Sequence, residues 1–200
     1  MCLPKLKGIS GQMDCIEEYI EKNFSEKRKK HTYDVCKTAK ALARHYGADE
    51  DKAGTAALFH DMFRGMPDRI LNFYVRHLDM DKKYLDNSNL AHGKLAALIM
   101  ERDYGISDDD VLNAVRYHTT GRAHMSELEK IMYLADAIEP GRDYPGVKEI
   151  RNMAYQDLDQ AVLLSMHSTL KYIRGNGFFL DEDTLSAIDY LDKKGGYNGQ

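Results

Sequence analysis

Six residues that bind metal ions when they are brought together lie far apart in this sequence: His31, His60, Asp61, His92, His118 and Asp136. Each falls on or beside a helical stripe of apolar residues. His31 shares a stripe with Val35, Ala39, Leu42 and Tyr46, while Ala53, Ala57 and His60 line another with Asp61 one position round. His92 aligns with Leu95, Ala96 and Ile99, and His118 with Val111 and Val115. Asp136 lies with Leu128, Met132 and Ala135, and Glu139 follows one turn on. A polar group on a core-facing stripe is costly unless it is paired or coordinates something. One such histidine is ordinary and usually bonds a carbonyl. Four histidines and two aspartates on converging faces would need six separate explanations, and one metal centre accounts for all of them.

The residue types narrow the chemistry. Mixed imidazole and carboxylate ligation suits iron, manganese, cobalt or zinc and disfavours calcium. Ligands spread from residue 31 to residue 136 do not have a zinc-finger spacing. Six are too many for one tetrahedral ion, so two ions sharing an aspartate fit better. A site of that kind activates water for displacement at phosphorus.

The elements that must position these groups are helices. Helical periodicity dominates and strand alternation is absent, so the expectation is an all-α bundle of about eight to ten helices with the metal site in its core. Gly47 should end a helix over 27–46 in the left-handed conformation. Ser107 and Ser126 open S-x-x-D/E patterns and are expected to cap helix starts. Gly121 ends the run "VLNAVRYHTTG", "EPGRDYPG" at 139–146 reads as a loop, and Asp181 is expected to cap a last helix running to about 191. The acidic start "DEDK" at 49–52 complements a helix dipole rather than binding metal. The expected organisation is an extension over 1–12, one domain over 13–192 and a flexible tail over 193–200.

Composition bounds the setting. The chain has 200 residues, 43% hydrophobic and 30% charged, enough for a substantial core. A net charge of -4 with interspersed signs argues against a nucleic-acid partner. The longest apolar runs, such as "LAALIM" at 95–100, are too short to span a bilayer. Three cysteines, an odd number, imply no disulfide framework and point to the cytoplasm. An exposed helical face leaves room for a homodimer, although the pattern does not demand one.

His31, His60-Asp61 and Asp136, in this order, resemble the signature of the HD-domain metal-dependent phosphohydrolases. His92 and His118 resemble the subset with a second metal. The segments "HTYDV", "AALFHDMFR", "LAHGKLAA", "VRYHTTGR", "MSELEKIMYLADAIEPGRDYPGV" and "IRNMAYQDLDQA" are similar to the YqeK family, the symmetrical diadenosine tetraphosphate hydrolases. That resemblance implies an all-helical fold and a metal centre, reported as iron, that cuts the tetraphosphate into two ADP. It implies that His31, His60, Asp61 and Asp136 hold one ion and that Asp61 bridges to a second held by His92 and His118. Asp61 and Arg64 are the catalytic candidates.

The family usually has lysine where Arg64 stands. A guanidinium stays protonated, so Arg64 is expected to clamp phosphate rather than donate a proton. His118, Thr119, Arg122 and Arg142 are further candidates for contact with a dinucleoside polyphosphate or nucleoside diphosphate, and Phe178 for stacking on a base. Lys94, Lys130 and Arg151 are read as solvated surface, and His45, His77, His124 and His167 as outside the site. Two other functions remain open at this point: a nucleotidase or deoxynucleotide phosphohydrolase on the same metal site, and a non-catalytic nucleotide-binding scaffold.

Overall fold

The computed structural model describes residues 11–195, with side chains placed over 16–194. Among these residues there are ten α-helices, one short 3-10 turn and no strand. They are α1 (Gly11–Asn23), α2 (Glu26–Tyr46), α3 (Glu50–Phe59), α4 (Asp68–His77), the 3-10 turn Lys82–Tyr84, α5 (Ser88–Tyr104), α6 (Asp109–Tyr117), α7 (Glu127–Ile138), α8 (Val147–Met153), α9 (Leu158–Asn176) and α10 (Glu182–Gly195). None is long and apolar enough to cross a membrane.

The helix that carries His31 starts where its chemistry dictates. Ser25 caps α2 by accepting the Arg28 N–H, and Gly47 closes it at φ 77°, a conformation that favours glycine. Val35, Ala39, Leu42 and Ala43 form its buried face. The small residues Ala53, Gly54, Ala56 and Ala57 of α3 let α2 lie close against it, and α7 covers the other flank of α2. α6 lies on α3, α5 and α7, so the five helices bearing the His and Asp residues share one interior. Behind them α9 packs on α7, α8 and α10. Phe59, Leu42, Leu95, Ile99, Ile131 and Met132 are fully enclosed. Each such side chain stabilises the fold by about 1.5–3 kcal/mol through burial.

Several boundaries fall where the residues place them. Asp49 caps α3 by accepting the N–H groups of Asp51 and Lys52, so the acidic start at 49–52 is helix-start charge. The loop between α7 and α8 spans 139–146. Ser126 and Glu129 form a full capping box at the start of α7. Ser126→Ala is expected to cost about 1 kcal/mol. In a chain of this size that is a fall of about 2–4 °C in Tm by thermal denaturation; an unchanged midpoint would contradict the cap.

Three expectations need correction. Asp108, not Ser107, caps α6, because its carboxylate accepts from both Asp110 N–H and Val111 N–H. The α6 helix ends at Tyr117 rather than running on to Gly121, which puts His118 at the C-cap. The last helix continues to Gly195, past 191, although Asp181 does accept the Asp183 N–H at its start. Residues 1–10 of the expected extension and 196–200 of the expected tail lie outside the described residues, as do the side chains of Cys2 and Cys15. Gly11 and Gln12 belong to α1, and Lys193–Gly195 to α10.

Candidate metal centre

Two of the histidines reach the interior from helix C-termini in the same way. His60 is the C-cap of α3 and His118 the C-cap of α6. Each turns its Nδ1–H back to the carbonyl three residues earlier, His60 to Ala57 O at 2.6 Å and His118 to Val115 O at 2.8 Å. His92, within α5, gives its Nδ1–H to Ser88 O at 3.0 Å. His31 differs, because its Nδ1 faces the carboxylate of Glu139 at 3.2 Å. With every Nδ1 occupied, all four Nε2 atoms point to the centre. Helix C-termini also turn their negative dipole ends to this point, which favours a cation.

Asp61 stands between the rings. Its Oδ2 lies 3.5 Å from both His31 Nε2 and His60 Nε2, while its Oδ1 lies 3.3 Å from His92 Nε2. Asp136 Oδ1 is 3.2 Å from His31 Nε2. His92 Nε2 and His118 Nε2 face each other at 3.0 Å. Potential ligand atoms therefore fall into two neighbouring sets, His31 with His60 and Asp136, and Asp61 with His92 and His118.

This donor set fits metal ions. His31 Nε2 and His60 Nε2 are buried without a hydrogen-bond partner. The His92 and His118 rings, with their Nδ1–H groups bonded to carbonyls, present two bare lone pairs to one another, an arrangement a cation resolves.

Burial and charge pull the titrations apart. The His118 imidazole is pushed down to about 3, first by burial and then by His92 and His60. Burial likewise lowers His60. Burial also opposes the charged form of His31, but the neighbouring Asp136 and Asp61 carboxylates outweigh it and raise its pKa to about 9. Asp61 pays for burial too, yet His60, His31 and His92 hold it well below the usual carboxylate range. Asp136 is lowered as well, by His31 and Arg142 against its own burial. The neutral His60 and His118 rings beside ionised carboxylates are in the form a metal needs, and a metal would take the place of the proton that Asp136 and Asp61 hold on His31.

A cavity of about 160 Å³ opens onto this cluster, lined by Arg28, Asp61, Arg64, His92, His118, Thr119, Asp136 and Arg142. Arg142 donates to both the carboxylate and the main-chain oxygen of Asp136. Thr119 Oγ1 lies 3.1 Å from His118 Nε2. Arg64 follows Asp61 through a tight turn in which its N–H donates to Asp61 O, and its guanidinium has no ion-pair partner among the described residues.

Two of the residues expected at the site lie elsewhere. Arg122 grips the buried Glu129 carboxylate with two hydrogen bonds of 2.7 and 2.5 Å and lies over the Tyr117 ring. Phe178 is exposed just past the end of α9, with its ring 5.9 Å from Tyr172, and does not line the cavity. The three basic residues read as solvated are also committed. Lys94 is buried against Asp183 and the face of Tyr117, Lys130 pairs with Asp159 at 2.6 Å, and Arg151 holds the carbonyls of Ile138, Glu139 and Arg142. Burial with a partner, which one-dimensional patterns do not display, explains all three.

Two residues were missed as parts of the site. Arg28 pairs with Asp61 at the mouth of the centre. Its place three residues before His31, on the same helical face, is the signal that could have found it. Glu139, almost fully buried, anchors His31 and accepts the Gly141 N–H.

Comparison with known proteins gives the family. Residues 28–141 match the HD domain family. The symmetrical bis(5'-nucleosyl)-tetraphosphatase of Bacillus subtilis is 38% identical over 173 residues, covering 86% of this chain and 93% of the relative. The protein of the same name from Halalkalibacterium halodurans is 37% identical, covering 87% and 94%. A crystal structure described as a predicted HD superfamily hydrolase involved in NAD metabolism, from Clostridium acetobutylicum, superposes with a TM-score of 0.86 at 40% identity, covering 91% of this chain and 97% of that one. With its paired histidine and aspartate sets on five converging helices, the chain belongs to the HD domain family, in the group that contains the symmetrical bis(5'-nucleosyl)-tetraphosphatases.

Proposed function

We propose that this protein hydrolyses diadenosine tetraphosphate and related dinucleoside polyphosphates symmetrically, giving two ADP from each molecule of the former. The observation that carries the reading is the placement of Asp61, whose two oxygens face two different histidine sets. The curated relatives of that activity, which align over most of both chains, support the substrate. The proposed cofactors are two iron ions, one held by His31, His60, Asp61 and Asp136 and the other by Asp61, His92 and His118. Manganese, cobalt and zinc suit the same donors. When bound, such a pair supplies activated water and neutralises phosphate oxygens.

The residues of this chain do the rest. Arg64, Arg142 and Arg28 line the central cavity with fixed positive charge and would clamp the tetraphosphate around its middle bridge. Thr119 offers a hydroxyl to a phosphate oxygen beside His118. Overall, one water adds its oxygen to an inner phosphorus, the central P–O bond breaks, and the departing ADP leaves with its charge spread over the arginines. Nothing need protonate it strongly, since a nucleoside diphosphate is already a fair leaving group. That suits a site with arginine rather than lysine at position 64. An odd number of cysteines, which implies no disulfide framework, supports a cytoplasmic setting for this activity.

Neither other reading gains support. All six proposed ligand residues are present and face one centre, which a non-catalytic scaffold does not require. The test is the product pattern. Purified chain loaded with ferrous iron without oxygen should convert diadenosine tetraphosphate to ADP alone. Formation of AMP with ATP, or orthophosphate released from nucleoside monophosphates, would sink the reading. Less than one metal ion per chain after loading would favour the scaffold.

A further inference from the structure

The central cavity of about 160 Å³ is too small for a nucleotide, since small-molecule pockets run to about 300–1,000 Å³. Two larger spaces adjoin it, and Arg142 lines all three. One, of about 200 Å³, shares His118, Thr119 and Asp136 with the centre and is otherwise walled by Tyr133, Ala137, Tyr144, Ser165 and Thr169, with no further charged group. The other is a groove of about 640 Å³ between the first turn of α2 and the loop after α7. It shares Arg28 and Arg142 with the centre and adds Lys27, Lys30, Asp34, Asp143 and Tyr144.

We infer that this groove seats one nucleoside diphosphate half of the substrate, while the central cavity and the smaller space that opens from it together take the other. The inference rests on the proposed reaction, because only a substrate with a nucleoside at each end needs two seats. The charge arrangement fits such an occupant. Arg28 and Arg142, common to groove and centre, meet the phosphates where they leave the metal cluster. Lys27 has no ion-pair partner among the described residues. Lys30 holds only the Asp34 carboxylate, in a pair whose lysine is exposed and therefore weakly held. Both ammonium groups stand at the N-terminal end of α2, which itself favours an anion. Asp34 and Asp143 line the groove but not the centre, and carboxylates there accept from ribose hydroxyls rather than repel phosphates. Tyr144 offers a ring face to a base.

No other feature reaches as far. The exposed aromatic residues Phe178, Phe179 and Tyr172 form an apolar patch, but nothing in the structure shows what covers it. The buried Lys94 is already satisfied by Asp183 and Tyr117.

The test uses the metal-loaded full chain, with ADP binding measured by equilibrium dialysis and turnover measured on diadenosine tetraphosphate. Wild-type chain should bind two ADP per chain. The double variant Lys27→Glu, Lys30→Glu changes exposed residues outside the metal cluster. It should bind one ADP, with KM raised about tenfold and kcat within about twofold of wild type. Lys82→Glu with Lys171→Glu, the same charge change elsewhere, should alter neither. A wild-type chain that cuts the tetraphosphate but binds one ADP would overturn the second seat, as would a groove variant with unchanged KM and two ADP. A chain that binds two ADP yet leaves the tetraphosphate intact would uphold the two seats and overturn the reaction.

Discussion

Asp61→Ala should strip metal from both halves of the centre and lower turnover by at least about 10³-fold. The argument is geometric. Oδ2 of this carboxylate faces His31 and His60 at 3.5 Å, and Oδ1 faces His92 at 3.3 Å, so one side chain completes both ligand sets. Its ionised form is favoured by the rings around it despite burial. Removing it leaves three imidazoles and the Arg28 guanidinium around one hole, with Asp136 as the remaining carboxylate ligand. Arg28 is about one-third exposed and can turn to water, so the chain should still fold. His118→Ala touches only one set, and it should lose mainly the second ion and slow turnover less. Elemental analysis beside far-UV circular dichroism separates loss of metal from loss of fold. A folded Asp61→Ala chain that still holds two ions would refute the bridge, and a fully active His118→Ala would remove that residue from the site.

Much of this centre could be read from the sequence because each proposed ligand lies on an apolar stripe. His31 with Val35, Ala39 and Leu42, and His118 with Val111 and Val115, announce a buried face that ends in a polar group, and those faces do converge. What could not be read depends on partners rather than on period. Glu139 touches His31 across 108 positions of sequence, and Arg28 touches Asp61 across 33. Lys94 looks like surface by type, yet its ammonium lies inside because Asp183 on α10 and the Tyr117 ring meet it there. The cap of α6 was displaced by one residue because Ser107 and Asp108 both suit the position, and the carboxylate that reaches two N–H groups prevails. Arg122 illustrates the converse. It is a basic residue near a ligand whose charge is consumed by a buried glutamate, so proximity in sequence to "YHTTGR" says little about where its guanidinium goes.

Gly93→Ala should behave opposite to helix propensity. In the interior of a helix, alanine is favoured over glycine by about 1 kcal/mol. Here the added methyl would sit 2.8 Å from His118 Cε1, 2.9 Å from His118 Nδ1 and 2.8 Å from Val115 O. Of these, His118 Nδ1 and Val115 O are the donor and acceptor of the bond that aims His118 at the centre. The carbonyl belongs to the α6 backbone, and the ring is enclosed, so neither yields without moving α6 away from α5. Overpacking of that kind costs about 1–3 kcal/mol, which outweighs the propensity gain. The net expectation is a lower Tm, together with a loss of about 10²-fold in turnover as His118 leaves its position. Gly175, inside α9, has nothing within 4 Å of the same added atom, and Gly175→Ala should raise stability by up to about 1 kcal/mol with activity unchanged. Thermal denaturation and metal content measured on the two variants side by side decide the matter: a Gly93→Ala chain as stable and as metal-replete as Gly175→Ala would show that α5 does not press on His118, and the second half of the centre would need another geometry.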